Sequence, residues 1–174
     1  MNRQMLIDAT IQSLRSIRNP RLFRTERGYQ GELFCELQNI LKEQGIVDGV
    51  NILEMEYQKS QRHGIRQRPD IILHVPAEIS GVSVKENNFA VWALKHKSST
   101  EDAIDDFRKL NDMFAVLEYP LGFFVNIDSA THHFGNYEGE FVDRLVTFAI
   151  RLDDGDVSIK MAYWNNNVIE EIDL

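Results

Sequence analysis

The chain has 174 residues, 43 % apolar and 26 % charged, a composition that excludes a disordered or fibrous protein and a length that lets one domain bury roughly 70 % of its unfolded surface. Its net charge of −8, from 19 basic and 27 acidic side chains, argues against a general nucleic-acid coat protein. A single cysteine, Cys35, excludes an intramolecular disulfide and any zinc site built mainly from cysteines.

Residues 4–17 space Leu6, Thr10, Leu14 and Ile17 three or four apart, which predicts a short amphipathic helix ended by Asn19-Pro20. This N-terminus lacks the apolar block and small-residue cleavage site of a signal peptide, and no segment approaches the ~20 apolar residues of a membrane span. With one cysteine, the expectation is a reducing, cytoplasmic setting and no membrane partner. A second helix is expected over about 29–44, with a stripe of Leu33, Leu37, Ile40 and Leu41 and Gly45 at the C-cap. VNILEMEYQ alternates as a strand with Leu53, Met55 and Tyr57 on one face, 58–68 is a polar loop, and PDIILHV (69–75) is a strand opened by proline. After a loop or ragged hairpin at 76–88, FAVWALKHK (89–97) is apolar almost throughout, as a central strand is.

Ser98, Ser99 and Thr100 offer N-caps, and Glu101 and Asp102 suit a helix N-terminus. That helix runs to about Leu117 with Ala103, Phe107, Leu110, Phe114 and Leu117 buried, and LGFFVNID (121–128) follows as a strand. LVTFAIRL and VSIKMAYW flank Asp153-Asp154-Gly155-Asp156, a hairpin signal rather than a calcium loop (145–164). The whole, 1–174, reads as one α/β domain with a mixed sheet, strands joined by the helix at 101–117 running parallel.

The charge is unevenly spread. Residues 1–30 carry six arginines against Asp8 and Glu26; the run 58–68 holds Lys59, Arg62, His63, Arg66 and Arg68 with no acid; residues 137–174 carry nine acids against three bases. One side of the molecule is therefore expected to be locally positive.

Asp70 follows Pro69 at the start of one strand, Lys95 lies in the next with 24 residues between, and the preceding helix carries Glu32 and Glu36. This resembles the PD-(D/E)XK nuclease superfamily, whose restriction-endonuclease-like αβββαβ core places a glutamate on a helix, Pro-Asp on one strand and acid-x-Lys on the next. The resemblance covers roughly 26–128, with the N-terminal helix and C-terminal β-hairpin as additions. It implies a Mg²⁺-dependent DNA phosphodiesterase: Asp70 as metal ligand, Lys95 as charge stabiliser, DNA as partner and, as often in this family, a homodimer, with no small-molecule cofactor. Mg²⁺ prefers oxygen ligands and keeps waters, so carboxylates plus the scissile phosphate suit it.

The chain departs from the family pattern in one place, since acid-x-Lys reads Ala93-Leu94-Lys95. Ala93 and Lys95 share a strand face, so a methyl points where an acid is expected. Three explanations stand. The acid has moved to the next helix (Asp102, Asp105 or Asp106, with Asp106 favoured beside Phe107 and Ala103); Glu54 or Glu56 on the neighbouring strand replaces it; or the site is lost and Asp70 and Lys95 form a plain ion pair, leaving a nuclease-like module that binds DNA or protein. At 100° per residue from Leu33, Glu36 falls at about −60°, bordering the stripe, and Glu32 at about −100°. Glu36 is thus the better metal candidate, Glu32 the second, and a solvated flank the plain alternative for both.

Arg15, Arg18, Arg21, Arg24 and Arg27 recur every third residue across a proline, so an extended arm could aim several at successive phosphates, or they pair with the protein's own acids. Arg24 and Arg27, with Arg62, His63, Arg66 and Arg68 just ahead of Asp70, are the candidate nucleic-acid contacts. His132 and His133 are adjacent and lack cysteine partners, a poor zinc pattern.

Overall fold

The computed structural model describes residues 2–55, 69–76 and 87–174. Helix α1 (Arg3–Ser16) is capped by the Asn2 side chain, and α2 (Glu26–Glu43) by Thr25, whose hydroxyl accepts from the Gly28 N–H at 3.2 Å. Strands β1 (Ile52–Met55), β2 (Ile71–His74) and β3 (Asn88–His96) follow, then α3 (Thr100–Leu117) and β4 (Gly122–Ile127). Two short 3₁₀ turns, Phe134–Asn136 and Val142–Arg144, lead into β5 (Leu145–Asp153), β6 (Asp156–Asn165) and β7 (Val168–Asp173).

The strands form one seven-stranded mixed sheet in the order β1-β2-β3-β4-β5-β6-β7. Strands β3, β4 and β5 are mutually parallel, and the other neighbouring pairs are antiparallel. The parallel register of β3 and β4 agrees with the expectation for strands joined by a helical crossover. The expected hairpin is instead three strands long. Asp154 and Gly155 have φ of 52° and 93°, and Asn166 and Asn167 of 48° and 67°, so both two-residue loops take the left-handed geometry that tight hairpins favour. The second loop adds β7, which the sequence reading did not anticipate.

Alternation along the strands splits the core into two layers. Helices α1 and α2 cover Leu73, Trp92, Leu94, Phe123 and Phe148 on one face; α3 covers Ile72, Val91, Phe124 and Leu145 on the other. Trp92 is fully buried, stacks on Phe123 with ring centroids 4.9 Å apart, and donates to Thr10 Oγ1 at 3.2 Å, tying α1 to the sheet centre. On the α3 side the Phe114 ring lies directly on the β4 backbone: a Cβ at Gly122 would stand 2.4 Å from it. Among the described residues no helix is long and apolar enough to cross a membrane.

Candidate active site

Strand β2 runs antiparallel to β3 with Ile71 opposite Trp92, so the residue before β2 arrives beside the C-terminal half of β3. That brings Asp70 to β3 despite the long intervening segment, and its Oδ2 accepts the Leu94 backbone N–H at 2.7 Å. Gln30 of α2 donates to the Asp70 carbonyl at 3.0 Å, fixing the entry to β2 from the helix side.

Ala93 and Lys95 both face α3. The capping box at its start, Ser99 with Asp102, sets where that helix begins. Its buried stripe then presents Asp106 among Ala103, Phe107, Leu110 and Met113. Asp106 is the acid in that apolar row, only 5 % exposed, and its Oδ2 lies 3.7 Å from Lys95 Nζ. Lys109, one turn on, donates to Asp106 Oδ1 at 2.6 Å. Asp70, Ala93, Lys95, Asp106, Lys109 and Met113 line one cavity of about 120 Å³.

The electrostatics follow from burial and from these neighbours. Desolvation pushes the Asp70 carboxyl up to about 6; the Leu94 N–H works against it, while the negative charges of Glu26 and Asp106 add to it. For Lys95, burial works to lower the ammonium's pKa, but Asp106, Glu26, Asp70 and Asp102 outweigh it and leave it raised. Lys95 is thus a cation held among acids, and at neutral pH it stays charged.

Two of the expected glutamates are not part of this group. Glu36 accepts from the Ser16 hydroxyl at 2.8 Å and so joins α2 to α1. Glu32 lies six residues beyond Glu26 on α2, about 9 Å along the axis at 1.5 Å per residue. The glutamate whose field reaches Asp70 and Lys95 is Glu26, in the first turn of α2. The signal was present: counted at 100° per residue from Leu33, Glu26 falls at about 20°, in the middle of the buried stripe. An expected helix start at residue 29 hid it; Thr25 capping begins the helix earlier.

Of the replacements for the acid missing at Ala93, the structure brings Asp106 to Lys95. Glu54 is paired with His74 Nε2 across β1 and β2 at 2.6 Å, and Asp105 with Arg108 at 2.9 Å. Asp102 is spent on the Ser99 cap, with its charge felt at Lys95. A simple Asp70–Lys95 pair does not describe the site, because the ion-pair partner of Lys95 is Asp106. Glu56, Arg62, His63, Arg66 and Arg68 lie outside the described residues.

Arg24 and Arg27 are exposed on either side of Glu26, while Arg18 pairs with Asp156 at 3.8 Å. His132 pairs with Glu171 at 3.4 Å and His133 Nε2 lies 3.1 Å from the Ser98 carbonyl, so the two rings diverge. A roomier cavity of about 260 Å³ lies against the outer side of α3, where the Tyr137 hydroxyl donates to Asn111 Oδ1 at 3.0 Å. Its Tyr137 is pushed up to about 12 by burial and offers no acid or base near neutral pH.

Among the described residues, no group of three or more His, Cys, Asp or Glu side chains is gathered to hold a metal ion. Two carboxylates, Asp70 and Asp106, share the cavity, and among the described residues the buried Asp106 Oδ2 has no hydrogen-bond donor. That donor set fits a Mg²⁺ carried by one or two carboxylates and completed by water and substrate phosphate, rather than an all-protein cage. No family model matches the chain, and neither curated proteins nor solved structures give a significant match.

Proposed function

We propose that this protein is a Mg²⁺-dependent DNA phosphodiesterase with a restriction-endonuclease-like core, its second carboxylate supplied by α3. The observation that carries this reading is the shared cavity: Asp70 from the start of β2, Lys95 from β3 and Asp106 from α3 face one space whose lining includes Ala93. The order α2-β1-β2-β3-α3-β4 supports it, being the αβββαβ succession of that superfamily.

Asp70 and Asp106 would hold the cation. When bound, Mg²⁺ supplies a more acidic water and neutralises charge developing on the phosphate. Asp70 is fixed by the Leu94 N–H, so one of its oxygens is oriented before substrate arrives. Lys95 stays protonated and places its ammonium where the phosphorane charge grows, and its loss is expected to cost about 10²–10³ in rate. Arg24 and Arg27, exposed beside Glu26, would meet backbone phosphates and make binding salt-dependent.

A second reading, a nuclease-like module that binds DNA without cutting it, is favoured by Ala93 and by the lack of a three-acid group among the described residues. Incubation of wild type and Lys95→Ala with plasmid, linear, branched and single-stranded DNA in Mg²⁺ or Mn²⁺ separates the two. The proposal expects cleavage of at least one substrate by wild type and a loss of about 10²–10³ in the variant. Equal cutting by both marks contamination and removes the enzymatic reading. Metal-independent binding without cutting establishes the second.

A further inference from the structure

Asp106 is gripped by two ammonium groups that are not equivalent. Lys95 projects from a central strand and stands 3.7 Å from Oδ2, beyond hydrogen-bond reach, whereas Lys109 sits one helical turn from Asp106 and contacts Oδ1 at 2.6 Å. The Lys109 side chain is 46 % exposed, so it can swing into solvent while α3 stays intact. Its ammonium sits on Oδ1 of the same carboxylate whose other oxygen, Oδ2, the proposed cation would use. A monovalent and a divalent positive charge on one carboxylate, in a partly desolvated cavity, repel strongly.

We propose that Lys109 is an internal counter-ion that competes with the divalent cation for Asp106 and thereby sets the affinity of the site. This rests on the cation site proposed above. Without a cation, Lys109 together with Lys95 neutralises an acid buried among Phe107, Leu110 and Met113. With one bound, the lysine is released to solvent. A third cation nearby provides the control: Arg108 lies on the same helix but spends its guanidinium on Asp105 at 2.9 Å.

The experiment is calorimetric titration of Mn²⁺ into the EDTA-stripped, dialysed 174-residue wild type, Lys109→Gln and Arg108→Gln, each first shown to melt cooperatively. Glutamine keeps helix propensity close to that of lysine, so α3 is retained. The expected result is about tenfold tighter Mn²⁺ binding by Lys109→Gln, the scale set by removing one adjacent charge, with Arg108→Gln like wild type. Equal or weaker binding by Lys109→Gln overturns the competition while leaving the cation site standing. An equal gain in both variants overturns it too, by reducing the effect to the general field of the helix. Absence of binding heat in all three proteins removes the cation site and the inference with it.

Discussion

The two faces of the sheet are built to different rules. Under α1 and α2 the contacts are apolar and closed, with Trp92 stacked on Phe123 and its ring N–H satisfied by Thr10 of α1. Under α3 the same strands meet a smaller cluster interrupted by Asp70, Lys95, Asp106 and Lys109. Burial on the first face stabilises the fold. On the second, charges sit in a desolvated cavity where they interact more strongly than in water and where Asp70 is held far from its ordinary pKa. A domain can carry such a face only because the other supplies a large apolar core.

The contrast breaks most severely at Trp92. Trp92→Ala is expected to lose about 3–5 kcal/mol by emptying the centre of the closed face and removing the hydrogen bond that ties it to Thr10, read as a drop in urea midpoint. The same truncation has no counterpart on the site face, where Ala93 is already a methyl.

Asp70→Asn moves stability the other way. A folded-state pKa of about 6, above the ~3.9 of an unfolded aspartate, means that wild type loses stability as pH rises from about 4 to about 6 and stays lowered above that. Asparagine does not titrate, and its side-chain oxygen can still accept the Leu94 N–H. In EDTA at pH 7.5 the variant is therefore expected to be more stable than wild type by on the order of 2 kcal/mol. The difference should close as pH falls to about 4, as followed by thermal melts across that range. A variant less stable than wild type at pH 7.5 would show that the Asp70 charge is favourably housed.

A smaller effect tests how the site is placed. Ser99→Ala removes the hydroxyl of the α3 capping box and should cost about 1 kcal/mol in chemical denaturation.

Much of the closed face was legible from pattern alone, because α1 and α2 keep apolar residues at three-to-four spacing and β3 is nearly continuous in them. The site face was legible in part. Pro69-Asp70 and Lys95 stand out as polar residues at strand positions, and Asp106 is an acid inside the apolar row of α3. Glu36 misled because a single-helix wheel cannot show that its flank abuts Ser16 of α1. Glu26 was missed because a helix start set late removes the first turn from the count. Strand β7 was missed because VIEEID is short and acidic, and its Asn166-Asn167 loop carries the backbone signal only in its φ angles. Lys109 has no sequence signature: a lysine three residues after an acid is an ordinary surface pair unless the acid is buried.

The most direct measurement is a calorimetric titration of Mn²⁺ into wild type and Asp70→Asn at neutral pH. The account predicts saturable binding heat in wild type and at least about tenfold weaker binding once one of two anionic ligands is neutralised. Superimposable isotherms, or no binding heat in wild type, would contradict it.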